Sequence, residues 1–205
     1  MNKLQMLQSV RNYLSLFGKP SEKILEAVEK IDRKNFMDKN KEFAYEDTAI
    51  PIGYGQTISQ PSTVARMLCL LDLKNNDEVL EIGTGSGWNS ALIGYLSKKV
   101  LTLEIVQELK ERAEKKIKEM KIENVEVKQE DFKKLKQKFS KIIFTAGISF
   151  GNEKIIENFA KIHLKENGIL ICPYQHGPLI ILKKKKNKIE KNYTQENYVF
   201  VPLLL

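Results

Sequence analysis

Apolar residues recur every three or four positions over residues 4–17 (Leu4, Leu7, Val10, Leu14) and again over 21–32 (Ile24, Leu25, Val28, Ile31). That spacing lays a stripe along one side of a helix, so two N-terminal helices are predicted, parted by the breakers Gly18 and Pro20. From Phe43 to Pro61 the period dissolves into Pro51, Gly53 and Gly55 among Tyr45, Ile52 and Tyr54. The stretch is too apolar for a free linker and reads as a long ordered loop serving a site. Helical spacing returns from Ser62 to Leu71.

Beyond it two periods alternate. Short apolar runs at Glu78–Ile82, Val100–Ile105, Val125–Lys128, Ile142–Thr145 and Ile169–Cys172 read as strands, with helical patterns at Trp88–Leu96, Val106–Met120 and Glu153–Leu164 between them. Such alternation predicts an α/β fold, a largely parallel sheet covered by helices on both faces. Two final apolar runs, Leu179–Leu182 and Tyr198–Leu203, flank a lysine-rich stretch and predict an antiparallel C-terminal hairpin, bringing the sheet to about seven strands. One domain is expected over the 205 residues, with 1–61 supplying N-terminal helices and a site loop and 62–205 a cofactor-binding core.

Charge adds one feature. The charge behind the net +8 clusters only partly: its one dense run is Lys183, Lys184, Lys185, Lys186, Lys188 and Lys191, where no aromatic residues interleave to stack on bases. The run therefore reads as solvated surface, and nucleic acid is not the expected partner. Cys69 and Cys172 lie far apart in apolar runs without metal-ligand spacing, which predicts buried thiols in a reducing compartment and no metal. Polar residues interrupt positions 1–20, and no stretch approaches the roughly 18 apolar residues of a membrane span. A cytoplasmic protein with no membrane partner is expected.

The candidate chemistry begins at Val79-Leu80-Glu81-Ile82-Gly83-Thr84-Gly85-Ser86-Gly87-Trp88, a strand entering a glycine-rich turn and then a helix. Glycines there let the chain turn tightly and let a ligand lie against the backbone. Glu104 ends the next strand, 23 residues beyond Glu81, where a carboxylate can accept hydrogen bonds from both hydroxyls of a ribose. Glu130 and Asp131 follow the third strand. Acids at three successive strand ends suit a cationic sulfonium better than a diphosphate.

Parallel strands closed by a hairpin resemble the Rossmann-like methyltransferase sheet, whose last strand runs antiparallel. The segment Ala44-Tyr45-Glu46-Asp47-Thr48-Ala49-Ile50-Pro51-Ile52-Gly53-Tyr54-Gly55-Gln56-Thr57-Ile58-Ser59-Gln60-Pro61 resembles the one preceding the glycine loop in protein-L-isoaspartate O-methyltransferases. The likeness extends back through Ile24–Val28 and Arg33-Lys34-Asn35-Phe36 and resumes at Val199-Phe200-Val201-Pro202-Leu203.

The resemblance implies methyl transfer from S-adenosylmethionine, leaving S-adenosylhomocysteine, to the α-carboxylate of L-isoaspartyl residues in damaged proteins and peptides. The ester then cyclises to a succinimide that can reopen to aspartate. A carboxylate with a reference pKa near ~4 is already ionised at neutral pH, so no general base is needed. In the family the serine of the pre-loop motif acts in the active site, which maps onto Ser59, with Gln56, Thr57, Ile58 and Ser62 on the cofactor side. Asp131 would hold the adenine amino group. A monomer is expected, since substrate must reach an open cleft.

Three departures are evident. Glu130-Asp131-Phe132 replaces the family's Gly-Asp-Gly, Ser140 stands where an Asp usually precedes the fourth strand, and Pro173-Tyr174-Gln175-His176-Gly177-Pro178 replaces the usual C-terminal substrate wall. His176 and His163 read as surface or packing residues. The altered wall leaves open a diverged methyltransferase acting on another small molecule or RNA, and the lysine run leaves open a cofactor-binding, nucleic-acid-associated protein without turnover.

Overall fold

Helices α1 (Lys3–Ser15) and α2 (Glu22–Lys30) form where the first two stripes predict them in the computed structural model, which describes residues 1–204. Asn2 and Gln5 close a reciprocal capping box at the start of α1, satisfying two amides that the first helical turn leaves free. The stretch expected to be one loop contains a small hairpin, β1 (Ile50–Gly53) and β2 (Gln56–Ile58). Its turn, Tyr54-Gly55, has positive φ at both residues, the backbone twist that matches two paired strands. Helix α3 (Pro61–Leu71) follows, with Pro61 in its first turn.

The core alternates β3 (Glu78–Ile82), α4 (Trp88–Leu96), β4 (Lys99–Glu104), α5 (Gln107–Glu119), β5 (Val125–Gln129), β6 (Phe139–Phe144), α6 (Glu153–His163) and β7 (Leu164–Pro173). Two short strands, β8 (His176–Gly177) and β11 (Tyr198–Val199), pair with each other beside the hairpin β9 (Leu179–Lys185) and β10 (Lys188–Tyr193). The seven-stranded sheet runs β10-β9-β7-β6-β3-β4-β5. Strand residues alternate between two cores: Val79, Val100, Val127, Ile143 and Ile171 face α1 to α4, while Leu80, Leu101, Ile142, Phe144 and Leu170 face α6. Strand order reverses between β3 and β6, so the crevice at their carboxyl ends is the place where such a sheet binds ligands.

Two expectations change at the C-terminus. The partner of β9 is Lys188–Tyr193, not the apolar run from Tyr198. Lys186 and Asn187 both take positive φ and turn the chain at once, and β10 is a polar edge strand that an apolar-run criterion reads as loop. Because β9 runs antiparallel to both neighbours, the last strand of the sheet points the same way as the five parallel ones. The lysine run is also divided: Lys184 is buried and donates to the carbonyls of Lys161 and Leu164 at the end of α6, and Lys191 pairs with Glu157 at 2.6 Å. Cys172 is buried and Cys69 partly so, both as free thiols. No helix among the described residues is long and apolar enough to cross a membrane.

Candidate active site

A cleft open to solvent lies over the carboxyl ends of β3, β4 and β6. The glycine loop forms its floor. At Gly83, φ is +98° and a Cβ would stand 2.3 Å from Thr145 Oγ1, so a side chain is barred twice over. Gly87 begins α4 with φ +85°, and a Cβ there would approach the Ala113 Cβ to 3.1 Å, which lets α4 lie close against α5.

Glu104 projects into this cleft from the end of β4. Backbone amides fix its carboxylate: Gly85 donates to Oε2 at 2.9 Å, and Ile105 and Val106 donate to Oε1 at 2.9 and 3.1 Å. Three of the carboxylate's roughly four acceptor sites are thereby engaged, and the remaining one, on Oε2, is free for a ribose hydroxyl. Glu104 and Glu130 are the charged side chains lining the cleft, and no Lys or Arg among the described residues joins them. The charge of the wall therefore favours a ligand with positive charge over a diphosphate.

The other acids take different places. Glu81 is fully buried one pleat below Glu104, beside its register partner Thr102. Its carboxylate accepts from Thr102 Oγ1 and Asn89 Nδ2, each at 2.7 Å, and from Ser90 Oγ. It braces the strand against α4 and does not line the cleft. Asp131 caps a short 3₁₀ turn by accepting from the Lys133 amide at 3.0 Å, so Glu130 and the ring of Phe132, packed edge-on to Phe144 and Phe159, meet the cleft in its stead. Ser140 bonds the Glu78 backbone at the opposite end of the sheet, far from any substrate cover.

Gln56, Thr57, Ile58 and Ser59 line the cleft from β2 and its exit, facing Gly83, Thr84, Gly85 and Ser86. Ser62 does not: it is buried, and Asp47 accepts from its hydroxyl at 2.6 Å and its amide at 2.9 Å, capping α3 from a distant loop. Thr57, Ser59, Thr145, Phe200 and Val201 also line a second groove, so the two cavities meet at Ser59. Residues 176–178 and 197–201 make the far wall of that groove, with exposed His176 on its rim. His163 is buried, its Nδ1 2.8 Å from the Gln137 carbonyl oxygen.

Sequence reasoning missed Arg33, which is entirely buried. Its guanidinium donates to five carbonyl oxygens, those of Ala44, Glu46, Thr48, Ile58 and Ser59, at 2.8–3.2 Å, and lies 5.6 Å from the Trp88 ring centroid. One side chain thus ties the site loop, the backbone of Ser59 and the first residue of α4 together. Burial pulls its pKa down to about 10, against the opposing charge of Asp47, so it stays protonated at neutral pH. The available signal was an Arg ahead of a long loop in which residues 44–48 lie outside any strand, so that their carbonyls have no ladder partners.

Burial also raises the Glu81 pKa to about 7, against the bonds from Ser90, Thr102 and Asn89. Above the ordinary carboxylate range and up to that value the folded protein holds a proton that the unfolded chain has lost. Stability from this group is therefore greatest at low pH and declines as pH rises toward 7. Glu81→Gln is expected to remove the decline. In chemical denaturation at pH 5 and pH 8, the variant should gain on the wild type by up to about 3 kcal/mol between the two. Its amide can also pair with Asn89 Oδ1, buried without a partner in the present amide orientation. Equal differences at the two pH values would show Glu81 ionised throughout.

The family model for protein-L-isoaspartate(D-aspartate) O-methyltransferase matches residues 2–204. A Thermosipho melanesiensis protein-L-isoaspartate O-methyltransferase is 40% identical over 194 residues, covering 90% of this chain and 95% of the relative. Two solved structures share the fold. One protein-L-isoaspartate O-methyltransferase superposes with a TM-score of 0.83 at 24% identity, over 98% of this chain and 66% of that longer one. A Plasmodium falciparum protein described in the same terms, solved with S-adenosyl-L-homocysteine, gives 0.79 at 22% over 100% of this chain and 99% of its own.

Proposed function

The chain belongs to the protein-L-isoaspartate(D-aspartate) O-methyltransferase family, and from that premise we propose that it methylates the α-carboxylate of L-isoaspartyl residues, with Ser59 orienting the acceptor. The carrying observation is the meeting of two cavities at Ser59, Thr57 and Thr145: an acid-walled cleft on one side and an open groove on the other. The family's cofactor, S-adenosylmethionine, supplies a methyl group on a cationic sulfur. Glu104 would take its ribose, the backbone of Gly83 to Gly87 would pass beneath its amino-acid tail, and Glu130 and Phe132 would border its base.

What remains is alignment. A hydroxyl at Ser59 can donate to the acceptor carboxylate and hold one oxygen toward the cleft, while Phe200 and Val201 exclude water at the junction. None of these steps needs a base, in keeping with the absence of Lys, Arg and His from the cleft wall among the described residues. Since one chain lines both cavities, we propose a monomer acting as a single domain in the cytoplasm on isoaspartyl proteins and peptides. Nucleic acid has no part in this reading: Lys184 turns inward, Lys191 is paired, and no aromatic residues interleave the exposed Lys183, Lys185, Lys186 and Lys188 to stack on bases.

The test is methyl transfer from labelled S-adenosylmethionine to a peptide containing L-isoaspartate, beside the same peptide with aspartate. Turnover is expected on the first alone. In the same assay Ser59→Ala should lower kcat by about 10- to 100-fold, the worth of one orienting hydrogen bond to a charged group, with cofactor affinity unchanged. Wild-type kcat in that variant would remove Ser59 from the mechanism, and equal turnover on the aspartyl peptide would overturn isoaspartyl repair.

A further inference from the structure

We propose that Phe150, at the rim of the second groove, forms a subsite for an aromatic or large aliphatic side chain flanking the isoaspartyl residue; this rests on the methyl-transfer reading above. Phe150 is 69% exposed, yet its ring is fixed: it stacks on Tyr174 with centroids 4.2 Å apart and planes at 22°. Tyr174 is itself buried, and its hydroxyl donates to Glu153 at 2.6 Å. Gly177 leaves the space the ring occupies, since a Cβ there would come within 3.1 Å of Phe150 Cζ.

The backbone beneath is tied down as well. Ile148 donates to the Pro173 carbonyl at 3.0 Å, Gln175 donates back to Ile148 at 2.9 Å, and the Gln175 side chain reaches Ser149 Oγ at 3.0 Å. One face of the ring is thus held by the protein while the ring borders the groove that leads to Ser59. Val199, 76% exposed, adds apolar surface to the same groove.

Charge sets the chemistry of the occupant. No Asp, Glu, Lys or Arg among the described residues lines the groove, although 29% of the chain is charged. A charged flanking side chain would lose water there and meet no counter-charge, whereas an apolar one gains an aromatic partner already immobilised.

The experiment compares isoaspartyl peptides that differ only in having Phe, Gly or Glu beside the isoaspartate, on either flank, with wild type and Phe150→Ala. Wild type is expected to favour Phe over Gly about fivefold in kcat/KM on one flank, carried by KM, with Glu poorest. Phe150→Ala should level Phe and Gly. Equal kcat/KM in wild type, or a preference that survives in Phe150→Ala, overturns the subsite. Calorimetric titration of the same peptides reads binding without turnover. If no peptide is methylated but Phe150 still confers Phe-over-Gly binding, the subsite stands and the methyl-transfer reading fails; if binding shows no such preference, the subsite fails too.

Discussion

Arg33→Met is expected to lower stability by about 3–5 kcal/mol and to reduce kcat by about 100-fold in the protein that remains folded. Methionine fills much of the volume but donates nothing. The five carbonyls of residues 44, 46, 48, 58 and 59 would then lose a donor together, in a place from which water is largely excluded. At about 2–4 °C per kcal/mol for a chain of this size, thermal unfolding should fall by about 6–20 °C. The kinetic effect has a separate origin: the carbonyls of Ile58 and Ser59 are among the five, so slackening them displaces the Ser59 hydroxyl, and a shift near 1 Å can cost about two orders of magnitude. Arg33→Lys keeps the charge but not the planar fork, and should recover less than half of the stability. A melting temperature within 2 °C of wild type, a loss below about 1 kcal/mol, would show that water replaces the guanidinium without penalty.

Glu104→Ala is expected to weaken S-adenosylmethionine binding by about 100-fold while the far-ultraviolet spectrum stays native. A ribose hydroxyl bonded to the remaining acceptor site of the carboxylate carries about 1.5–3 kcal/mol, or about 10- to 150-fold. The substitution also frees the amides of Gly85, Ile105 and Val106, so part of the loss comes from a glycine loop no longer held in position. Glu104→Gln separates the contributions: it keeps the shape, but its single oxygen cannot serve both Gly85 on one side and Ile105 with Val106 on the other. An intermediate affinity is expected from calorimetric titration. If Glu104→Ala, folded, bound within about threefold of wild type, under about 1 kcal/mol, the carboxylate could not be a ribose acceptor.

Much of this was legible in the chain. Periodicity records which side of each element is buried, and it marks β3, α4, β4, α5 and β5 to within a residue or two of their observed ends. The glycines at 83, 85 and 87 were readable because positive φ excludes most other residues. By contrast, Glu81 and Glu104 were both read as cofactor-side acids at strand ends. Register separates them: Glu81 pairs with Thr102, two residues below Glu104 on the same face, so α4 covers one acid and leaves the other at the open end. The polar β10 was missed because an edge strand beside charged groups needs no apolar face.

The sequence by itself determined the layer order, the glycine loop and the family, since each depends on local spacing or on a contiguous motif. Tertiary structure alone decided that Arg33 gathers five carbonyls, that Asp47 caps α3 through Ser62, that Asp131 yields the cleft to Glu130 and Phe132, and that two cavities meet at Ser59. The physical reason is common to all four. A backbone carbonyl, a helix terminus or a cavity wall has no letter of its own in the sequence, so its partner is fixed only when distant segments pack.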